Sequence, residues 1–431
     1  MTSRRRRLLP PVMPPQERTP AHLAYWAAKH ALLPAVRLYR RLLPHTLVVA
    51  VTGSSGKTTT KDLLAAVLGT AGPVTAGYKT RNRAKGIIRV FAETRPHHWA
   101  TVHEAAAWGP DTMEEVLWPL EPDVGVVTSV GLEHLKTFRT VEAVAEEKAK
   151  LVRALPADGL AVLNADDPAV RAMAAASRAR VVLVGRAEDA DLRAVGVRAR
   201  WPEPLRFTAV RGGERFEIET RLFGEHWLPS VLAALAVGLE LGVDRDAAVA
   251  AIAAAPPERH RLSEARFPDG VTFLEDDWKA PGWSLEAAFD VLRTARARRR
   301  VLVLGQISDD SRKPRRLLLD VLAQAAHAAD LVIVVGRLGR YVGSRRARAA
   351  AGSVPVHGFP TARGAHEFLA GTLRDGDLVL VKASAYQEHL ERLVLARGEG
   401  VACWRTDCGI RRFCYECRYR WRPAADGGAA G

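Results

Sequence analysis

Val51-Thr52-Gly53-Ser54-Ser55-Gly56-Lys57-Thr58 decides how this chain folds. Ahead of it, Thr46 to Val51 reads as a buried strand; behind it, Lys57 to Leu68 reads as a helix ending at Gly69. A glycine-bearing turn at that junction presents backbone N–H groups and the positive end of a helix to phosphate oxygens. Lys57 would reach the outer phosphates and Thr58 would hold a magnesium ion, with Gly53, Ser54, Ser55, Gly56 and Thr59 completing the cradle. An ordinary Gly/Ser turn is the alternative, but strand, glycines, Lys-Thr and helix occur in the order the cradle requires.

Working outward, short β runs alternate with helical patterns, as a parallel sheet wrapped by helices requires. Strands are expected at Trp99 to His103, Val124 to Thr128, Leu160 to Leu163 and Val181 to Val184, then a hairpin from Arg206 to Leu222 turning at Gly212-Gly213. Helices at Pro229 to Leu241 and Asp246 to Ala254 close this unit. A second α/β unit carries strands at Val271 to Leu274, Val301 to Leu304, Leu331 to Val335 and Leu378 to Val381, with residues 256 to 270 as the candidate hinge. The expected fold class is therefore α/β: a P-loop domain with a mostly parallel sheet (46–258), a smaller Rossmann-like α/β domain (259–398) and a short four-cysteine tail (399–431), preceded by a basic segment (1–45).

The totals agree. The chain has 431 residues, 48% hydrophobic and 26% charged, enough apolar side chain for two or three cores and too much for wholesale disorder. No uncharged apolar run reaches the ~18 residues of a membrane span, and Met1 to Pro15 lacks the continuous apolar stretch of a signal peptide. A cytoplasmic protein is expected. The formal charge of +15 is mostly interleaved with acid. In residues 4 to 45, however, Arg4 to Arg7, Lys29, Arg37, Arg40 and Arg41 have almost no acidic neighbours in sequence, while Leu23, Trp26, Ala27, His30, Leu33 and Val36 suggest an amphipathic helix. Such a helix either lies on an anionic membrane surface or packs on its own domain.

The stretch TGSSGKTTTK resembles the Mur ligase family, and within it the enzymes that add D-alanyl-D-alanine; a general P-loop would have Gly where this chain has Val51. The resemblance covers roughly residues 46 to 398 and extends to further positions. Glu104, after the strand 99–103, matches a magnesium-binding Glu, although the family's following Gly is here Ala106. His134, within Pro122 to Phe138, matches a magnesium-associated histidine. Lys148 matches a lysine whose carbamate helps hold magnesium. Independently of any family, Val141, Val144, Lys148, Leu151, Val152 and Leu155 fall at i, i+3, i+7, i+10, i+11 and i+14 of one helix, so Lys148 interrupts a buried stripe. A lysine there must pair, snorkel or lose its charge, and a neutral amine reacts with carbon dioxide. Glu146 and Glu147 oppose that loss, and Lys150 falls off the stripe as a solvated charge.

Asn164-Ala165-Asp166-Asp167-Pro168 resembles a structural turn of the family. Arg261 matches a hinge arginine that contacts nucleotide, and Asp276, chosen over Asp277 by its spacing to Ser284, matches a ribose-binding Asp. Lys279 could reach a transferring phosphate. Lys382-Ala383-Ser384 resembles a late Lys-Gly-Ser element, with ordinary surface residues as its alternative. Departures keep the substrate's identity from being carried over: Ser230 stands where the family has Asn, Trp227 replaces a polar residue, and DDWKAPGWS (276–284) differs from the Tyr, Asn and Pro pattern of the D-alanyl-D-alanine-adding enzymes. The residues before Thr46 are too few for the nucleotide-sugar-binding domain of the peptidoglycan ligases.

All four cysteines fall in Cys403-x4-Cys408-x5-Cys414-x2-Cys417. Four thiols at this spacing suit a closed tetrahedral zinc site, its charge offset by Arg405, Arg411, Arg412, Arg418 and Arg420; an iron–sulfur cluster or redox thiols are the alternatives. The resemblance implies an ATP- and magnesium-dependent ligase. Lys57, with magnesium held by Thr58, Glu104, His134 and Lys148, would assist γ-phosphoryl transfer to a carboxylate, and an amine would attack the acyl phosphate. Closure of the second unit would bring Asp276 and Lys279 to the nucleotide. The alternatives are an amidation subunit fed by a glutaminase partner, a polyglutamate-type synthetase, or a zinc-bearing nucleic-acid-binding module. Against the last, aromatic residues are only 6% and no stacking motif is present.

Overall fold

The computed structural model describes residues 20–77, 82, 84–131, 135–308, 310, 312–406 and 408–422. They form two compact units. The first comprises residues up to Arg198 with Leu205–Arg221 and Glu225–Ala255; the second comprises Ala199–Pro204, Leu222–Gly224 and Pro256 onward.

The first unit is built on β1 (Leu47–Thr52), β2 (Val74–Ala76), β3 (Ala100–Glu104), β4 (Val124–Val127), β5 (Leu160–Asn164), β6 (Arg180–Gly185), β7 (Leu192–Arg198), β8 (Arg206–Arg211) and β9 (Glu214–Glu219). Their order is β2-β3-β1-β4-β5-β6-β7-β8-β9. Pairing is parallel from β2 to β7 and antiparallel between β7, β8 and β9. The central strands are apolar on both faces, as helix-covered parallel strands must be. Val48 and Ala50 enter one core with Val116, Leu151 and Val152, while Val49 and Val51 are buried on the opposite side. The β8–β9 turn holds Gly212 at φ 56° and Gly213 at φ 90°, the paired left-handed conformations that a tight hairpin needs. At the far edge, Glu214, Arg215, Glu217 and Glu219 of β9 are exposed.

The second unit has β10 (Ser263–Arg266), β11 (Thr272–Asp276), β12 (Arg299–Leu304), β13 (Leu331–Val335), β14 (Val356–Phe359) and β15 (Asp377–Lys382), in the order β10-β11-β15-β12-β13-β14. Only the β10–β11 pair is antiparallel. Leu302, Leu304, Val332 and Val334 face one core; Val301, Val303, Leu331 and Ile333 face another. The stretch expected to be a hinge is thus partly sheet, because β10 within it pairs with β11. The mixed α/β class and mostly parallel sheet match expectation, and strand ends differ by a residue or two, as frayed termini do.

The N-terminal helix Pro20–Arg41 exists, with Leu33 and Val36 buried. Ala27, expected on its apolar stripe, is exposed, and the side chains of Leu23, Trp26 and His30 lie outside those described. Its Arg37, Arg40 and Arg41 are not short of acid in three dimensions, while the Lys29 side chain lies outside those described. Arg37 and Arg41 donate to Glu121, and Arg40 forms two hydrogen bonds with Asp123 at 2.7 and 2.9 Å. Arg4 to Arg7 fall outside the described residues. No described helix is long and apolar enough to cross a membrane.

Candidate active site

β1 lies between β3 and β4, and the loop leaving its carboxyl end enters the helix Lys57–Gly69. This is the crevice position where open α/β sheets bind ligands. The loop, Gly53 to Gly56, is stitched to the segment after β4. The Ser54 amide donates to the Ser129 carbonyl (2.9 Å), the Ser55 amide to Ser129 Oγ (3.1 Å), and Thr128 Oγ1 to the Ser55 carbonyl (2.6 Å). Gly53 has φ 149°, and a Cβ there would sit 1.9 Å from Thr128 Oγ1; Gly56 has φ 79°, with Ser230 Oγ 2.8 Å from where its Cβ would be. Ser230 is therefore a buried contact beneath the loop. Lys57 Nζ folds back onto the Gly53 carbonyl. Thr58 and Thr59 are buried at the helix start.

β3 runs beside β1 with Glu104 opposite Val51, two residues ahead of Gly53. Glu104 is 1% exposed, and neither carboxylate oxygen has a hydrogen-bond partner among the described residues. Lys61 Nζ lies 4.0 Å away, beyond hydrogen-bond range, and donates to the Gly77 carbonyl. A buried carboxylate without donors is costly, so its chemistry fits a hard cation that takes oxygen ligands, as magnesium does. Lys61, the last residue of TGSSGKTTTK, does not stand out in the sequence; its place one turn beyond Lys57 is the available signal. Neighbouring His103 is fully buried, and desolvation, helped by the charge of Arg40, lowers its pKa to about 3, so the ring stays neutral.

Lys148 is 1% exposed on the helix Val141–Ala154, between buried Val144, Leu151 and Val152. Val141, expected in the same stripe, is exposed. The two flanking glutamates are directed elsewhere. Glu147 accepts the backbone amides of Asp111 (2.9 Å) and Met113 (2.7 Å), and Glu146 pairs with Arg153. Lys150 is not a solvated charge: it pairs with Asp111 at 2.6 Å and Glu147 at 2.9 Å, and these partners outweigh burial to raise its pKa. His134 lies outside the described residues. The turn 164–168 holds the loop behind the cradle: Asn164 Nδ2 donates to the Thr128 carbonyl (2.9 Å) and Asp167 accepts the Val130 amide (2.7 Å).

In the second unit, Asp276 ends β11 and accepts from Lys382 Nζ at 2.6 Å; the same ammonium donates to the Lys279 carbonyl at 2.9 Å. Lys382 is 3% exposed, which rules out the surface reading of this residue. Lys279 is exposed. Arg261 pairs with Glu258 at 2.8 Å and lies over the Trp278 ring. Asp277 is buried, with Oδ1 2.6 Å from His260 Nδ1. Burial and the charge of Asp277 raise the neighbouring Glu275 to about 7. The buried His260–Asp277 pair is invisible in the sequence, where a polar pair inside a core leaves no periodic trace.

The tail cysteines Cys403, Cys408, Cys414 and Cys417 are free thiols that line one cavity. The donors that meet within 4.8 Å are His389, Glu391 and Cys414, a group not anticipated from the cysteine spacing. Arg392 contacts Cys414 Sγ, whereas among the expected tail arginines Arg420 pairs with Glu399.

A phosphate cradle at a sheet switch point, beside a buried carboxylate suited to a metal, defines a nucleotide-dependent enzyme of the P-loop type. Comparison with known proteins makes this specific. Residues 51–238 match the Mur ligase middle domain, and residues 260–385 match the Mur ligase glutamate ligase domain. The UDP-N-acetylmuramoyl-tripeptide--D-alanyl-D-alanine ligase of Mycobacterium tuberculosis is 34% identical over 365 residues, 78% of this chain and 70% of that protein. Its Mycobacterium leprae counterpart is 33% identical over 368 residues, 78% and 71% of the two chains. In fold, MurF from Acinetobacter baumannii superposes with a TM-score of 0.76 at 23% identity, over 86% of this chain and 80% of that one. MurF from Thermotoga maritima in complex with ADP gives 0.71 at 22% identity, over 83% and 80%. The chain belongs to the Mur ligase family. It is an ATP-dependent ligase that forms a peptide bond. The relatives support neither the glutaminase-fed nor the nucleic-acid alternative.

Proposed function

We propose that Lys57, Thr58, Glu104, His134 and Lys148 form the catalytic and metal-binding set of this ligase, and that Gly53, Ser54, Ser55, Gly56 and Thr59 hold the nucleotide phosphates. The observation that carries the proposal is the buried Glu104 carboxylate, unsatisfied among the described residues and in register with the strand that launches the cradle. Magnesium, held by Thr58, Glu104, His134 and Lys148, would supply charge neutralisation on the phosphates. The chain's own groups do the rest. The first-turn amides of the helix Lys57–Gly69, which have no acceptor within the helix, orient the triphosphate, and Lys57 leaves the Gly53 carbonyl to meet the charge that builds as the γ-phosphoryl moves to the substrate carboxylate. Attack by the amine on the acyl phosphate then needs no protein nucleophile. Arg261, Asp276 and Lys279 are assigned to nucleotide and phosphate. The Lys382 ammonium between Asp276 and the Lys279 carbonyl supports that assignment, because it fixes both within one turn.

Carbamylation of Lys148 suits its burial and the engagement of Glu146 and Glu147 with other partners. The tail thiols are assigned to a structural zinc. The substrates are a small-molecule or peptide carboxylate and amine, and the relatives' names make UDP-N-acetylmuramoyl-tripeptide with D-alanyl-D-alanine the first pair to test. A cytoplasmic site of action suits such substrates. Glutaminase and membrane partners find no support in the structure: three N-terminal arginines that could meet lipid are bound to Glu121 and Asp123.

The test is amine-dependent ADP release, with product mass, across carboxylates, amino acids and ammonia. Lys57→Ala should lower the rate by about 100- to 1,000-fold, the loss expected for one charge-stabilising donor. Ligation retained in that variant would refute the mechanism.

A further inference from the structure

The tail in the second unit brings together two features. The first is its thiol cavity. His389 Nε2 lies 3.3 Å from Cys408 Sγ, and its Nδ1 is 3.1 Å from Glu391 Oε1. Glu391 Oε1 also accepts the Cys414 amide at 2.9 Å. Arg392, 1% exposed, donates its Nε–H to Cys414 Sγ at 3.1 Å and another N–H to the Arg405 carbonyl at 2.7 Å. A buried guanidinium aimed at sulfur calls for negative charge there, which a metal-bound thiolate carries. His389 and Arg392 stand where outer partners of metal ligands stand, one N–H for each of two sulfurs.

The second feature is Phe413, adjacent to Cys414 and 1% exposed. Its ring stacks on His260 at 3.9 Å with planes 2° apart, and lies 5.2 Å from both Trp278 and Tyr386. His260 holds Asp277 at 2.6 Å, and the Trp278 amide donates to the His260 carbonyl at 3.3 Å. The tail thus inserts an aromatic ring against the segment that carries Arg261, Asp276 and Lys279.

We infer that one zinc ion bound by Cys403, Cys408, Cys414 and Cys417, with His389 and Arg392 as hydrogen-bond donors to the thiolates, clasps the tail so that Phe413 holds residues 258–280 in their working conformation. The metal site rests on the four thiols lining one cavity and on the donors aimed at Cys408 and Cys414, and zinc would draw the four sulfurs together where, among the described residues, only His389, Glu391 and Cys414 now meet; the consequence for catalysis rests on the proposed roles of Arg261, Asp276 and Lys279.

The full-length protein, reduced and stripped by a chelator, is titrated with zinc alone. Native mass spectrometry reads uptake and amide hydrogen exchange reads residues 258–280. One equivalent should bind and slow exchange in that segment by at least about 10-fold. Cys408→Ser and Cys417→Ser should lose the uptake. Arg392→Met should weaken zinc affinity by about 10- to 100-fold. Phe413→Ala should still bind one equivalent while the segment stays fast-exchanging. No uptake by the unaltered chain, or uptake unaffected in both cysteine variants, overturns the metal site. Uptake with unchanged exchange overturns the clasp. A chain that takes up zinc and orders 258–280, yet releases ADP equally fast with and without the metal, supports the clasp and sinks the proposed roles of Arg261, Asp276 and Lys279 instead.

Discussion

At the scale of single residues, the chemistry rests on groups that the fold isolates from water. Glu104 is the clearest: a carboxylate that pays for burial without a donor among the described residues is poised for a cation. Glu104→Gln should change the metal-free melting temperature little, since the carboxylate accepts no hydrogen bond among the described residues and its ion-pair neighbour Lys61 keeps Asp62 and the Gly77 carbonyl. The same variant should lower magnesium-dependent ADP release by about 100-fold. A fall in metal-free stability with normal turnover would contradict the assignment. For Lys148, intact mass of gently handled protein should exceed that of acidified protein by one carbon dioxide, and an active chain with unmodified Lys148 would refute the carbamate. The cradle and Lys148 are legible in sequence because each breaks or follows a simple pattern: glycines between strand and helix, and one charge inside an apolar stripe. Lys382 is harder, because a lysine at a strand end reads alike whether it meets solvent or a buried Asp276. His389 and Arg392 cannot be linked to the cysteines from sequence at all; their partners are set by tertiary packing, not spacing.

At the scale of elements, the loop after β4 is held from two sides, by the cradle and by the turn 164–168. Asp167 caps the helix Pro168–Ala172, accepting from the Ala169 amide at 3.0 Å and the Val170 amide at 3.2 Å, while its second oxygen takes the Val130 amide. Asp167→Ala should therefore destabilise the protein by about 1–2 kcal/mol. Hydrogen exchange of residues 128–131 should rise in parallel. A destabilisation confined to the helix, with that loop unchanged, would show that the turn does not support the cradle. The strongly apolar strands are readable to within a residue or two. β7 and β10 are not, because half-exposed strands carrying Arg and Glu, such as Leu192–Arg198 and Ser263–Arg266, gain their strand character from pairing with β8 and β11.

At the scale of the molecule, the two units have separate cores: Val48, Val116 and Leu151 belong to one, Leu302, Val332 and Leu380 to another. Calorimetry should resolve two transitions rather than one. Magnesium-ATP at about 100 times its Kd should stabilise the cradle-bearing unit by roughly 2.7 kcal/mol, an effect absent from Lys57→Ala. A single transition unmoved by nucleotide would contradict both statements. The architecture is legible because alternating strands and helices leave few topologies for a parallel sheet. The substrate pair is not, since 276–284 departs from the family pattern and its Trp278 packs against Phe413. The rim of the larger sheet has a practical consequence of its own. With Glu214, Glu217 and Glu219 projecting from β9, a second chain adding a strand there would have to crowd these carboxylates against its own. Replacing those acids with threonine would invite the protein to clump during production while leaving its turnover intact.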